Sequence, residues 1–375
     1  MFTLFALFAL VTLVNAQNLL SQALRSISNT QNSELNQQQL DAATSYARLA
    51  SIAACSNFQP GKLFKESIDC SNTNLCTNFE EVKVIDKFDR SQTGDIGGFF
   101  GRDDKRKTLI IVFKGTSSVD NVKTDLLKTE IIHPDIAGAE VHKGFYVTAM
   151  KTKAYLFPKL QSEIADMGEI FIEYEVEVIG HSLGGAIATL ITAELINHGQ
   201  EVSQHFDDSK VALITLGQPR VGGEIFTQFM NNLPILQKRL TNRHDPIPFV
   251  PFKPELLKDS FLLEDFPNYK SRNFVIHAHT NGKFIHCISG TDPECEADQS
   301  ALSKLGTELF ELAKAAFQFN FNLESVDHFG FNGVKTGCTG QLSGRADVPL
   351  ETTLMQELLM KLQEAQNQQS VPSDQ

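Results

Sequence analysis

Hydrophobic and polar residues along the middle of the chain alternate between two spacings, one typical of strands and one typical of helices. Short apolar or alternating runs predict strands, and apolar residues every three to four positions predict the helices between them. The predicted strands are 81–88, 108–115, 174–180, 210–217 and 236–242, and the predicted helices are 40–55, 141–167 (with a break near Pro158), 184–198 and 222–233. This alternation predicts an α/β fold, with a mostly parallel central sheet and helices on both faces.

The pattern contains no internal repeat and no long linker, which favours one main domain over residues 41–344. Residues 17–40 are polar and rich in Gln, Asn and Ser, so we expect them to be loosely ordered or trimmed. In the last segment, 345–375, we expect an amphipathic helix at about 350–363 and then a frayed polar tail. A partner-binding role is the alternative for this helix.

The first sixteen residues, MFTLFALFALVTLVNA, form an apolar run that ends in small residues. This pattern predicts a secretory signal peptide over 1–16, cut after Ala16. An uncleaved membrane anchor is the alternative. The run is short for a bilayer-spanning helix, and no later segment of the sequence is long and apolar enough. We therefore expect a secreted, extracellular protein with no integral membrane span after cleavage.

The net charge of −12 excludes one class of partner. A nucleic-acid-binding surface needs clustered Lys and Arg, so we expect no nucleic acid partner. The same charge disfavours electrostatic docking on anionic lipid. The apolar and charged fractions are those of an ordinary globular chain.

The six cysteines are even in number, which suggests three disulfides in a secreted protein. Spacing alone cannot choose among the pairings, although two pairs are close enough in sequence to be suggestive. Metal binding is the competing use, but no C-x-x-C spacing is present, so we expect no metal site. The suggested pairs are Cys70–Cys76 and Cys287–Cys295, which would leave Cys55 with Cys338.

The segment Gly-His-Ser-Leu-Gly at 180–184 lies between a predicted strand and a helix of small residues. That setting is typical of a nucleophile elbow, a sharp turn that exposes a serine at the carboxyl edge of the sheet. Gly180 and Gly184 leave room where side chains would collide, and Gly185 adds clearance. We expect Ser182 to be a nucleophile, with the first N–H groups of the helix directed at the reacting group. The alternative is a tight glycine turn with an idle serine.

The elbow and several other segments are similar to those of the fungal-type class 3 lipases, in particular the secreted yeast lipases. The resemblance implies an α/β-hydrolase fold with a helical lid, and it extends in the family's order from about residue 40 to 338. It also favours the three disulfide pairs given above. The matching segments are IVFKGTSSVDNVKTDL (111–126), VHKGF (141–145), LGQPRVG (216–222), NRHDPIPFVP (242–251) and DHFGF (327–331).

A serine hydroxyl needs a base to remove its proton, and the base is commonly a histidine supported by a carboxylate. The resemblance implies His328 as the base and Asp245 as the acid, in the order Ser, acid, His. Asp245 also follows a predicted strand, and Pro246 and Pro248 stiffen its loop. Other candidates are set aside: His277, His279 and His286 as structural residues of a long loop, and Asp207 and Asp208 as residues at the wrong edge of the sheet.

Two donors for an oxyanion follow from the same comparison. One is the backbone N–H of Leu183, directly after the nucleophile. The other, by the resemblance, is Thr116 at the end of the strand 108–115, where the hydroxyl can add a second hydrogen bond. Both donors would face charge that develops at the reacting group.

Residues 117–133 are expected to form a short amphipathic helix, to which the resemblance assigns the role of a lid. Its apolar face carries Val119, Val122, Leu126 and Leu127, with charged residues opposite. Relatives often have a tryptophan in this segment, and this chain contains none. The alternative is an ordinary surface helix that covers the core.

These features predict a secreted carboxyl-ester hydrolase. The leading hypothesis is a triacylglycerol lipase that acts on lipid or ester substrates at an oil–water interface, through a Ser-His-Asp triad and an acyl-enzyme. No metal or other cofactor is expected. The alternatives are a phospholipase A1 or a feruloyl-type esterase with the same triad, and an inactive relative that binds lipid or a protein. The sequence makes no prediction of the oligomeric state or of the role of residues 252–286.

Overall fold

The computed structural model describes residues 18–55, 58–67, 74–94, 96–115, 130–243, 245, 247–249, 269–296, 328 and 330–335. The chain separates into two units, Met1–Gln341 and Leu342–Gln375, and all described residues belong to the first unit. The predicted signal peptide, Thr116, the predicted lid residues 117–129 and the C-terminal helix lie outside the described residues. The predicted domain boundaries therefore stay predictions.

The strands form one large sheet and two small ones. In chain order they are β1 (Ser33–Glu34), β2 (Lys83–Phe88), β3 (Gly98–Asp103), β4 (Thr108–Phe113), β5 (Glu130–Ile132), β6 (Glu140–His142), β7 (Glu175–His181), β8 (Val211–Leu216), β9 (Leu236–Asn242), β10 (Val275–Ala278), β11 (Phe284–Cys287), β12 (Gly330–Phe331) and β13 (Val334–Lys335). The large sheet has the order β1-β11-β10-β9-β8-β7-β4-β3-β2, while β5 pairs with β6 and β12 with β13.

The α-helices flank this sheet. They are α1 (Leu19–Arg25), α2 (Gln37–Ile52), α3 (Phe64–Ser67), α4 (Arg90–Thr93), α5 (Lys143–Met167), α6 (Leu183–Val202), α7 (Glu224–Asn231) and α8 (Pro293–Glu296), with short 3₁₀ turns at Gly168–Glu173, Asp208–Lys210 and Ile247–Phe249. Within the described ranges, no helix has both the length and the apolar character needed to cross a membrane.

Apolar residues of the central strands are shared between two core clusters, one on each face of the sheet. In β4, Leu109 and Ile111 belong to the cluster that includes α5 and α6, whereas Ile110 and Val112 belong to the cluster that includes α1 and α2. Successive side chains of a strand point to opposite faces, so a strand covered on both faces is apolar throughout. This double burial explains why the sequence of β4 is a continuous apolar run.

The predicted fold class is confirmed, and the parallel pairing is concentrated at the centre of the sheet. Strands β4, β7, β8, β9 and β10 pair in parallel in that order. The pairings at both margins, β2–β3–β4 and β10–β11–β1, are antiparallel. The carboxyl ends of the parallel strands therefore meet at one edge, where the candidate active site lies.

The expectation of a loosely ordered or trimmed segment over 17–40 is wrong for its described part, 18–40. Residues 19–25 form α1, and Leu24 and Ile27 are buried against α2. Asn18 is 5% exposed, caps α1, and its Nδ2 donates to Glu175 Oε2 at 3.1 Å. Further on, β1 adds to the margin of the sheet beside β11. A few buried apolar side chains and one polar anchor order this segment, although its composition is polar.

Three further expectations differ from the structure. Helix α5 continues through Pro158 without a break, because buried residues on both sides of it keep the helix against the core. The predicted lid helix over 117–133 does not include Glu130–Ile132, which are a strand. His277 and His286 lie in strands β10 and β11, both buried, and not in a long loop.

One predicted disulfide is present among the described residues, since Cys287 and Cys295 are bonded with an S–S distance of 2.04 Å. It connects β11 to α8. Cys55 and Cys76 are also disulfide-bonded. Their predicted partners, Cys338 and Cys70, lie outside the described residues, so those two pairings stay predictions.

A buried lysine links the stability of this fold to pH. Lys238 on β9 is 1% exposed, and its Nζ lies 3.2 Å from His286 Nε2 and 3.3 Å from Asn29 Oδ1. Burial lowers the pKa of Lys238 to about 7, whereas an exposed lysine has a pKa of about 10.4. Between these two values the unfolded chain binds a proton that the folded chain does not. The free energy of unfolding contributed by Lys238 therefore falls as pH falls from about 10 to about 7.

Replacing Lys238 with methionine should raise the stability at pH 7 and reduce its pH dependence. The expected gain at pH 7 is about 1–3 kcal/mol, because methionine fills a similar volume without a charge to desolvate. Urea unfolding at pH 7 and pH 9 measures the effect, with the exposed Lys62→Met as the matched control. Equal pH dependence in the wild type and Lys238→Met would contradict this account.

Candidate active site

The predicted elbow forms at the junction of β7 and α6. Strand β7 ends at His181 and helix α6 begins at Leu183, with Ser182 between them at φ 56° and ψ −127°. A positive φ is strained for a serine and is typical of residues that the surrounding structure holds at a functional site. A Cβ added to Gly180 would lie 2.1 Å from the carbonyl oxygen of Gly184, so position 180 admits only glycine.

Three side chains that are distant in sequence meet at this elbow. His328 Nε2 lies 2.8 Å from Ser182 Oγ, and His328 Nδ1 lies 3.0 and 2.9 Å from the two carboxylate oxygens of Asp245. The three residues are 2–5% exposed. A neutral imidazole with Nδ1–H donating to Asp245 has its lone pair on Nε2, where it can accept the serine proton. The predicted Ser-His-Asp grouping thus has the geometry of a nucleophile, a base and an orienting acid.

The acid is held by its own loop. Asp245 follows β9 by three residues, and its amide N–H donates to the carbonyl of Asn242 at 2.9 Å. Its Oδ1 accepts from the N–H of Ile247 at 3.0 Å. Asp245 is therefore held by two backbone contacts, one through its own N–H and one through its carboxylate. The remaining hydrogen-bonding capacity of the carboxylate is directed at His328.

A second histidine, His181, supports the loop of His328, a contact that no pattern in the sequence predicts. Its Nε2 lies 2.8 Å from the carbonyl oxygen of His328, and the two imidazole rings lie 4.7 Å apart. Burial, and then the nearby charge of His328, lower the pKa of His181 to about 3. His181 is therefore neutral at physiological pH, and its N–H can donate to the carbonyl of His328 without adding a positive charge beside it.

Gly217 is a further residue whose importance the sequence did not reveal. It has a φ of 53°, and an added Cβ would lie 2.9 Å from both Asp245 Oδ2 and His328 Nδ1. A side chain here would press on the hydrogen bond between acid and base. Position 217 thus contributes open space to the site.

Replacing Gly217 with alanine should lower kcat on the order of 100-fold, because a displacement of about 1 Å at the reacting groups has this effect. Gly282→Ala is the matched control, since Gly282 has a φ of 83° and no atom within 4 Å of an added Cβ. Both variants carry a similar backbone strain. Initial rates on a soluble aryl ester, with thermal unfolding of each variant, measure the difference. If both variants lose activity equally, the contact of the added Cβ with Asp245 and His328 is not the cause of the loss.

The sequence model of the family described as lipase (class 3) matches residues 110–255, which contain the elbow and Asp245. Over these residues the chain is similar to the class 3 lipases. The lipase of Rhizomucor miehei is 31% identical over 214 residues, which cover 57% of this chain and 54% of that protein. The secreted mono- and diacylglycerol lipase 2 of Gibberella zeae is 26% identical, over 55% of this chain and 53% of that protein. The chain thus spans about half the length of the curated relatives that it matches.

A solved structure of Rhizomucor miehei triacylglyceride lipase has the same fold. Its TM-score to this chain is 0.61 at 24% identity, and the match covers 82% of this chain and 99% of that one. The α/β-hydrolase fold implied by the sequence is confirmed by this likeness. Identity at this level shows the fold alone.

The structure describes only some of the remaining predicted parts of the site. Leu183 is the first residue of α6, so its N–H has no acceptor within the helix and lies directly beside Ser182. Its role as an oxyanion donor stays a prediction. Thr116 and the predicted lid residues Val119, Val122, Leu126 and Leu127 lie outside the described residues, and their roles also stay predictions.

The candidates that were set aside lie elsewhere in the fold. The Nδ1 of His277 lies 2.8 Å from Thr241 Oγ1 on the neighbouring strand. His286 is hydrogen-bonded to Lys238. Asp207 accepts from the N–H of Ser209 at 3.0 Å, before β8 begins. Asp207 is thus at the amino end of its strand, at the opposite edge of the sheet from Ser182.

Proposed function

We propose that this protein is a secreted carboxyl-ester hydrolase that acts on acylglycerols. The observation that carries the proposal is the hydrogen-bonded row of Ser182, His328 and Asp245 at a strained turn between a strand and a helix. Ser182 is the proposed nucleophile, His328 the general base and acid, and Asp245 the residue that orients the imidazole.

In the first step, Ser182 Oγ attacks the ester carbonyl while His328 Nε2 accepts the hydroxyl proton. A tetrahedral intermediate forms, and it collapses when the imidazolium returns the proton to the leaving alcohol. The product of this step is an ester between the acyl group and Ser182. Water then attacks this acyl-enzyme with His328 as base, which releases the acid and restores the serine.

The negative charge of each intermediate falls on the former carbonyl oxygen. The N–H of Leu183, at the start of α6, is a proposed donor to this oxygen, and the positive end of the helix dipole lies at the same point. Thr116 is the second proposed donor. Donors that are fixed before the reaction lower its barrier, and the loss of one such donor costs about 3 kcal/mol.

Several observations favour acylglycerols as the substrate class. The match to the class 3 lipase family model favours lipid esters, and two of the similar proteins are named for triacylglycerides and for mono- and diacylglycerols. The apolar face predicted for residues 117–129 suits a lid that covers an apolar groove in water. Secretion is supported by the predicted signal peptide, by the disulfides, and by the name of the Gibberella zeae relative, a secreted lipase.

Covalent labelling followed by a substrate panel tests the proposal. We expect an organophosphonate ester to label one site per chain, on the peptide that contains Ser182, and to abolish hydrolysis in proportion. The labelled and unlabelled protein would be compared on emulsified triolein, phosphatidylcholine vesicles and a soluble aryl ester. The highest rate is expected on triolein.

Two outcomes of this experiment would contradict different parts of the proposal. Stoichiometric labelling with a preference for phosphatidylcholine would retain the serine hydrolase and replace the substrate class. No labelling, with no ester hydrolysis, would contradict the enzyme itself and favour a lipid-binding relative.

A further inference from the structure

A cluster of two imidazoles and two carboxylates lies away from Ser182, near the middle and end of α6. We call His133, Asp135, Glu194 and His198 the His133 cluster. His133 Nε2 lies 3.1 Å from Glu194 Oε1, and His198 Nε2 lies 3.2 Å from Asp135 Oδ2 and 3.5 Å from Glu194 Oε2. One ligand atom from each of His133, Asp135 and Glu194 lies within 4.8 Å of the other two.

Two separate segments bring the His133 cluster together. His133 and Asp135 follow β5, while Glu194 and His198 lie one helical turn apart on α6, on the same face. His133 and Glu194 are each 1% exposed. His198 is about one-fifth exposed and Asp135 is exposed, so the cluster opens to solvent on one side.

Two buried atoms in this cluster are paired only with each other. His133 Nε2 and Glu194 Oε1 lie 3.1 Å apart as an ion pair, without a well-aligned hydrogen bond. Buried polar atoms are nearly always bonded, so such a pair requires an explanation. A cation that both atoms ligate would provide it.

The donor types and their spacing fit one kind of cation. Zinc takes imidazole nitrogens and carboxylate oxygens at about 2.0–2.2 Å, which places tetrahedral ligand atoms ~3.3 Å apart. The contacts of 3.1–3.5 Å within the cluster match this spacing. Two nitrogen donors favour zinc over calcium or magnesium, which prefer oxygen ligands alone. We propose that the His133 cluster binds a zinc ion through His133, Asp135, Glu194 and His198.

His198 is already held by a further carboxylate, that of Glu201. Its Nδ1 lies 3.0 Å from Glu201 Oε1, so an N–H donated to this carboxylate leaves the lone pair of Nε2 facing Asp135 and Glu194. Metal-ligating histidines commonly donate their other N–H to a carboxylate in this way. The ring of Phe226 stacks on His133 at 6.2 Å, and the ring of Tyr146 lies edge-on at 5.3 Å. These two aromatic rings fix the plane of the His133 imidazole.

Two groups near the cluster oppose zinc binding, and their present contacts must change when the ion binds. Lys153 Nζ from α5 lies 2.5 Å from Glu194 Oε2, so an ammonium already neutralises part of this carboxylate. The amide N–H of Asp135 lies 3.3 Å from His133 Nδ1. Zinc on Nε2 requires the ring proton of His133 to be on Nδ1, so this weak hydrogen bond must open. Zinc binding therefore switches the tautomer of His133.

A bound zinc would connect the segment that follows the predicted lid to the helix that begins at the nucleophile. Residues 117–129 precede β5 directly, and His133 comes one residue after β5 ends. Glu194 lies on the helix that starts beside Ser182. The ion would therefore hold the segment that follows β5 against α6 without touching the reacting groups.

The test uses full-length protein without a polyhistidine tag, freed of metal by a chelator and dialysed. Zinc is titrated in competition with a chromophoric chelator, and bound metal is counted by mass spectrometry. We expect one tight site per chain, and a rise in the unfolding temperature of about 3 °C or more with excess zinc. Glu194→Gln, Asp135→Asn and His198→Ala should each weaken binding at least about 10-fold. Asp135 and His198 are on the open side, so their variants should fold.

His205→Ala is the matched control, since His205 is an exposed histidine outside the cluster. A second readout follows the ring itself: ¹⁵N NMR of His133 should show the proton move from Nε2 to Nδ1 when zinc is added. Equal zinc affinity in the wild type, Asp135→Asn and His198→Ala would overturn the proposal. So would a tight site that disappears in His205→Ala, or no tight site in the wild type. None of these measurements depends on esterase activity.

Discussion

Replacing Ser182 with alanine should lower kcat for ester hydrolysis on the order of 10⁶-fold. The reaction needs an oxygen that can form the acyl-enzyme, and alanine removes it while keeping the Cβ. His328 then has no proton to accept from the chain. The hydroxyl contacts His328 in the structure, and alanine can keep the backbone at the same positive φ. We therefore expect a folded and inactive protein, measured by initial rates on a soluble aryl ester.

The fold of Ser182→Ala is controlled by circular dichroism and by the unfolding temperature, which should stay within a few degrees of the wild type. The organophosphonate should no longer label the chain. Residual hydrolysis above about one-hundredth of the wild-type rate, from a protein purified free of other esterases, would show that a different group is the nucleophile.

Asparagine at position 245 is expected to lower kcat on the order of 10⁴-fold, with the fold retained. Both carboxylate oxygens of Asp245 lie about 3 Å from His328 Nδ1. An asparagine amide can donate to Nδ1, and the ring proton then moves to Nε2, which can no longer accept from Ser182. The stabilisation of the imidazolium is lost as well. Steady-state rates at pH 8 measure the loss.

Asp208→Asn is the matched control for Asp245→Asn, because Asp208 lies before β8 at the opposite edge of the sheet. The same chemical change there should leave kcat within about twofold of the wild type. If Asp208→Asn lowers kcat as much as Asp245→Asn, the effect is one of overall stability and Asp245 is not the orienting acid. An unaffected Asp245→Asn enzyme would lead to the same conclusion.

The nucleophile could be predicted from the sequence because its constraints are local. Gly180, Ser182 and Gly184 lie within five consecutive residues, and the clash that excludes a side chain at Gly180 is with Gly184 in the same turn. A side chain at Gly184 would instead meet the carbonyl oxygen of Phe113 on β4. Strands β4 and β8 could be predicted for a related reason. Each is covered on both faces, so its apolar run is a direct record of its burial.

The partners of the nucleophile could not be placed by pattern alone. Asp245 and His328 are 83 residues apart in sequence, and no periodicity records a contact at this distance. Only the resemblance to a family brought them together before the structure did. His181 and Gly217 were missed because their roles depend on what lies across the site from them.

The errors of the sequence analysis also have physical causes. Strand β3 contains glycines at both Gly98 and Gly101, so its apolar run is short. Strands β10 and β11 have four residues each and carry buried histidines, which made them resemble a polar loop. The segment after residue 17 was taken as loose because composition describes an average. A helix of seven residues with two or three buried side chains does not change that average.

The shortest strand of the sheet has a consequence for handling the protein. Ser33 and Glu34 form β1, which lies along the outer side of β11 and occupies backbone donors and acceptors there. An uncovered strand margin is a template on which another chain can pair. Removing the residues before α2 would therefore leave β11 open to association between copies of the molecule. By covering β11, Ser33 and Glu34 thus reduce the tendency of the protein to aggregate, although they contribute little to the core.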